Sequence, residues 1–127
     1  VNAATDTKRW TDTECRALLA EADQAGWAAG QAAQPIPMQI FDPRTGHAYE
    51  PVTDGVCGFA SIIIRGVGPL ANYAKRTGQW TKGYRKGLTR YVHEFNQSLT
   101  RKEAFAHAYV KVLRAAGFDA HIDSRLD

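Results

Sequence analysis

Cys57 lies in Asp54-Gly55-Val56-Cys57-Gly58, among residues small enough to leave a sulfur accessible. A thiolate with a base within hydrogen-bond reach makes a nucleophile. His47, His93, His107 and His121 are the available bases, with Asp42 or Asp54 to orient one. No spacing ties these residues together. Free cysteine is among the most buried residue types, so Cys57 reads as a small apolar residue of a buried strand. The four histidines form no close ligand pair and Cys15 stands far from Cys57, so no metal site is expected. Gly66-Val67-Gly68 has a setting suited to an anion, after a strand and before a helix. Ala71 stands where a dinucleotide fingerprint needs its third glycine, so the segment reads as a tight turn. Catalytic residues, cofactors and metals are all expected to be none, and the chain is expected to act by binding.

The stronger chemical signal is charge interleaved with aromatic rings. From Arg65 to Lys102 there are nine basic residues and one acid, Glu94, for a net +8. The remainder carries seven basic and twelve acidic residues, or −5, and the chain totals +3. Within this segment Lys75, Arg76, Lys82, Arg85, Lys86 and Arg90 alternate with Tyr73, Trp80, Tyr84, Tyr91 and Phe95. Cations neutralise phosphates and release counterions, and aromatic faces stack on unpaired bases. Nucleic acid, DNA or RNA, is therefore the expected partner. Lys82, Arg85, Lys86 and Arg90 are the expected phosphate contacts and Trp80 and Tyr84 the stacking rings, with Lys75 and Arg76 completing the expected binding set. The competing reading makes Tyr73, Tyr91 and Phe95 core residues and the cations solubilising charge. A further alternative is a host or virion protein as partner, docked through complementary charge. A cysteine-dependent enzyme using Cys57 is the remote alternative.

These residues need elements to position them. Thr11-Asp12-Thr13-Glu14 is a capping box, with Trp10 placed to staple against Cys15. Cys15, Leu18, Leu19, Ala22, Ala25 and Ala29 follow at the spacing of one helical face, which ends near Gln31 to Gln34. Ile36–Phe41 and His47–Val52 flank Asp42-Pro43-Arg44-Thr45-Gly46 as a hairpin. Val56–Ile64 reads as a strand apolar on both faces, hence central. Gly68-Pro69 opens a short helix that Gly78 stops, with Leu70, Tyr73 and Ala74 inward. Residues 79–87 read as a loop, and Leu88–Phe95 as a strand with Tyr91, His93 and Phe95 on one face. Thr100-Arg101-Lys102-Glu103 repeats the capping box, and Phe105, Ala108, Tyr109, Val112 and Ala116 form a stripe that ends at Gly117. Phe118, Ala120 and Ile122 then alternate with polar residues as a last strand.

The order is α-β-β-β-α-β-α-β. It predicts one α+β domain over residues 1–127, with residues 1–10 as a flexible arm. The sheet is expected to be mainly antiparallel with helices packed on one face. No apolar stretch approaches a membrane span, and the N-terminus lacks the apolar core of a signal peptide. A soluble protein, not secreted and not membrane-embedded, is expected.

Gly55-Val56-Cys57-Gly58-Phe59-Ala60, the helix from Thr100 to Ala116 and the ending Ser124-Arg125-Leu126-Asp127 together resemble a family of small proteins encoded by tailed bacteriophages. The resemblance spans roughly residues 36–127 and leaves out the helix from Thr11 to Gln31. It implies a bacterial host cytoplasm or a virion as the setting, and it implies no catalytic residue.

Overall fold

The structure is a computed structural model that describes residues 9–83 and 87–127. Helix α1 (Asp12–Ala32) begins at the expected capping box: Thr11 Oγ1 accepts from the Glu14 N–H at 3.1 Å, and Glu14 Oε1 accepts from the Thr11 N–H at 3.1 Å. Trp10 packs on Phe118, with ring centroids 5.1 Å apart. The buried face runs Cys15, Leu18, Leu19, Ala22, Gly26, Gly30. Its second half therefore follows glycines and not Ala25 and Ala29, because aromatic rings of other elements press against the backbone there.

Residues 36–52 form a narrow antiparallel ribbon held by two isolated bridges, Met38 with Val52 and Phe41 with Ala48. Four named strands make the sheet: β1 (Gly58–Ile64), β2 (Thr81–Lys82), β3 (Leu88–Tyr91) and β4 (Ala120–Leu126). Two more helices, α2 (Pro69–Arg76) and α3 (Leu99–Ala115), connect them. Counting the two arms of the ribbon, the order expected from the sequence holds. The addition is β2, inside the segment read as a loop. In space the strands run β2-β3-β1-β4, and every pairing is antiparallel. β3 thus lies between β1 and β2, and β1 between β3 and β4. This is the split β-α-β arrangement, in which each helix crosses over one inserted strand.

Alternation along β1 sorts the two faces. Ala60, Ile62 and Ile64 join the core beneath the helices, with Leu88, Leu70, Ala74, Phe105, Tyr109 and Leu113. Phe59, Ser61 and Ile63 point to the opposite side, where among the described residues no helix packs. α3 begins two residues earlier than its capping-box pattern suggests. Ser98 is the cap; its Oγ accepts from the Arg101 N–H at 3.4 Å and donates to Asp54 O at 2.8 Å. The buried stripe is correspondingly Lys102, Phe105, Ala106, Tyr109, Val110 and Leu113, while Ala108, Val112 and Ala116 lie at its margin. Gly117, at φ +95°, turns the chain out of the helix as expected. Among the described residues no helix is long and apolar enough to cross a membrane.

Candidate functional site

The cations read as one surface are put to several different uses. Arg90 is in the core: its side chain is 5% exposed. Its Nη2 donates to Glu94 Oε2 at 2.9 Å and to Asp23 Oδ1 at 3.2 Å, and its guanidinium stacks 5.1 Å from the Phe105 centroid and 5.4 Å from that of Tyr109. A cation so enclosed has no face left for a phosphate. Trp80, 3% exposed, packs against Tyr109 and leaves no ring surface for a base. Arg76 is held by Asp12 at 2.6 Å. Outside the expected site, Arg101 closes the C-terminus of α1, donating to Gly30 O at 2.8 Å and Gln31 O at 3.1 Å, while Lys102 is buried. Alternation and charge counts do not reveal this, because Arg90, Arg76 and Arg101 are each matched by an acid or a carbonyl distant in sequence.

Lys75 and Lys82 do stay exposed and do come together. With Asn72, Val67 and Leu88 they line a hollow of about 270 Å³ between α2 and the β2 edge. Among the described residues neither lysine makes an ion pair. Tyr84, Arg85 and Lys86 lie outside the described residues. Cys57 is exposed and not buried, a correction to the sequence reading. It precedes β1 on the side of Phe59 and Ser61, bridging to Ser98. Among the described residues no histidine or carboxylate hydrogen-bonds its sulfur, and no group of three or more metal-binding side chains gathers anywhere.

A better-formed site lies on the open side of the sheet. Phe59 of β1 and Tyr91 of β3 stand 39% and 46% exposed on the two central strands. With Ser61, Ile63, Thr89, Asp123 and Arg125 they line a hollow of about 440 Å³. Ile63 and Thr89 are buried partners in register, and the buried Ser61 pairs with the exposed Tyr91. The Arg125 guanidinium lies 4.8 Å from the Phe59 centroid, and the Lys102 ammonium 5.8 Å from it. A guanidinium stacked on a ring keeps its N–H edge available for an anion. A planar ligand thus meets an aromatic wall, hydroxyls at the floor and positive charge at the rim. Of this set only Tyr91 was singled out with the aromatic segment. The signal for the rest is period-two spacing, Phe59-Ser61-Ile63, Thr89-Tyr91 and Asp123-Arg125. It is masked in β1 because Ile62-Ile63-Ile64 looks apolar on both faces.

No protein-family model, no curated protein and no solved structure matches the chain.

Proposed function

We propose that the chain binds single-stranded nucleic acid across the open face of its sheet. The observation that carries this reading is the pair of exposed rings, Phe59 and Tyr91, on adjacent central strands, with a guanidinium stacked beside one of them. Sheets of four strands with aromatic rings on the central pair recognise RNA by stacking unpaired bases. The role assigned by sequence to Trp80 and Arg90 passes to Phe59, Tyr91 and Arg125. Crossing from β4 to β2 spans three inter-strand spacings, or ~14 Å. A strand laid that way reaches the β2 edge and wraps around it to meet Lys75 and Lys82, which lie on the helix side with Leu88. The setting we propose, an infected bacterial cytoplasm or the virion, rests on the resemblance to tailed-phage proteins. The chain acts there as an accessory protein by binding, without catalysis.

A fluorescence-anisotropy titration at low salt tests the reading with labelled oligodeoxythymidine, oligouridine and a duplex of mixed sequence. Saturable binding is expected, tighter for the single strands. No binding to any of them overturns the proposal, as does binding that survives the double change Phe59→Ala, Tyr91→Ala undiminished.

A second reading, a protein partner, is favoured by the 36–56 segment. Ile36, Ile40, Phe41, Tyr49 and Val56 are all exposed there, Ile36 at 85%. Contiguous exposed apolar side chains mark interaction surfaces. Pull-down with immobilised chain from a phage-infected lysate, lost on Phe41→Ser, Tyr49→Ser, separates this partner from nucleic acid.

A further inference from the structure

Among the described residues β4 is an edge strand, paired with β1 on one side and with nothing on the other. The Val92 N–H donates to Ala60 O at 2.9 Å, so the even-numbered residues of β1 face β3. Phe59, Ser61 and Ile63 therefore face β4, where they pair with Arg125, Asp123 and His121. By the same alternation the N–H and C=O groups of Ile122, Ser124 and Leu126 point outward from the sheet. Arg114 Nε blocks the start of this edge by donating to Ala120 O at 2.8 Å. Among the described residues no hydrogen bond reaches the outward backbone groups from Ile122 to Leu126.

The sequence along this edge is complementary to itself. Read antiparallel about Ser124, Ile122 meets Leu126, Asp123 meets Arg125 and Ser124 meets its own copy. Ser124 exposes both backbone groups outward, as a hydrogen-bonded pair on a two-fold axis requires. Asp123 and Arg125 project to the open face, so two opposite-charge pairs flank the axis there. Ile122 and Leu126 meet on the helix side, where Leu126 is 63% exposed. The outward backbone groups recur every second residue, so the neighbouring registers are slips of two residues; these set Asp123 against Asp123 or Arg125 against Arg125, and like charges directly opposite are destabilising. The charges on this edge thus discourage foreign strands while accepting one register of the chain's own copy. Arg125 need not leave Phe59 to do so, because its stacked guanidinium offers its edge to the facing carboxylate.

We infer that two copies of this chain pair through β4, about a two-fold axis at Ser124, into one continuous eight-stranded antiparallel sheet. The pairing is independent of nucleic acid and joins the two open faces side by side.

Sedimentation velocity and light scattering on the full chain, without nucleic acid, test it over the micromolar range. A concentration-dependent dimer is expected. Ser124→Pro removes an N–H that points away from β1, a position where an edge strand tolerates proline. It is expected to give a monomer with unchanged circular dichroism. Asp123→Arg and Arg125→Asp are each expected to weaken the dimer about tenfold or more, and the double exchange to restore it. The restoration decides the matter even if Ser124→Pro impairs folding. A wild-type chain that stays monomeric overturns the inference. So does a dimer indifferent to a folded Ser124→Pro variant, or a double exchange that fails to recover association.

Discussion

Arg90 and Asp23 are 67 residues apart and meet at 3.2 Å, joining β3 to the middle of α1 beneath the sheet. The same guanidinium is held by Glu94 at 2.9 Å and lies over Phe105 and Tyr109. One cation thus ties the N-terminal helix, a central strand and α3 together. Arg90→Met strands the Glu94 carboxylate against a largely buried surface. Breaking a buried pair by removing one partner costs about 3–5 kcal/mol, and the half-exposed Asp23 places this case near the lower figure. Urea unfolding followed by circular dichroism is expected to show that loss. Pairing Arg90→Met with Glu94→Leu should recover part of it, since no buried charge is then left alone.

The two carboxylates have opposite pH signatures. Burial pushes the Glu94 carboxyl up, but hydrogen bonds from Arg90 and from the Glu94 and His93 amides, with the Arg90 charge, more than reverse it. Its folded pKa is lowered, so its stabilisation is present above the ordinary value of 4.5 and is lost as pH falls through the folded value. Asp23 goes the other way. Burial raises it, Arg90 opposes the rise and Glu94 adds to it. Its contribution is fully present below the ordinary value of 3.8 and is lost as pH rises through the folded one. Glu94→Gln is therefore expected to destabilise at neutral pH and to flatten the acid limb of the stability profile. Asp23→Asn is expected to cost less at neutral pH than at pH values below both pKa values. Urea midpoints across the acid range measure both.

Elements whose signals are local were legible in the sequence. The Thr11 capping box, the Gly117 stop, the Pro69 start of α2 and the alternation in β4 each depend on residues a few positions apart. The surface was far less legible, because neutralisation is not local. Arg90 finds Asp23, Arg76 finds Asp12 and Arg101 finds the end of α1, each more than sixty residues away in the chain. Trp80 looked like a loop aromatic, yet Tyr109 of α3 covers it. Local sequence reads Cys57 as part of a buried strand, but β1 starts one residue after it and the open side leaves the sulfur uncovered.

Gly30 shows the same long-range dependence at the level of shape. A Cβ there would stand 2.2 Å from the Phe95 ring, and Phe95 itself holds φ at +67°. The ring is fixed further by Trp27, 4.8 Å away between centroids. Gly→Ala in a helix interior ordinarily gains up to about 1 kcal/mol. Here overpacking costs about 1–3 kcal/mol and reverses the sign. Gly30→Ala is expected to lower the thermal midpoint, whereas Gly30→Ala with Phe95→Leu should regain much of the loss.

Binding on the open face separates two physical contributions that one titration series can resolve. Stacking on Phe59 and Tyr91 is insensitive to salt, so Phe59→Ala or Tyr91→Ala should each weaken single-strand binding by about 1–3 kcal/mol at every salt concentration. The salt slope should stay as it was. Lys75 and Lys82 act by charge alone, at the edge where the crossing strand leaves the sheet. Lys75→Ala and Lys82→Ala should weaken binding to all sequences alike, and each should reduce the slope of log affinity against log salt by about 0.7. Trp80→Phe, whose ring is enclosed, should leave both affinity and slope unchanged once its folding is confirmed. If the lysine variants shift the slope while the ring variants do nothing, the nucleic acid lies along the α2 edge and the open face is not its site.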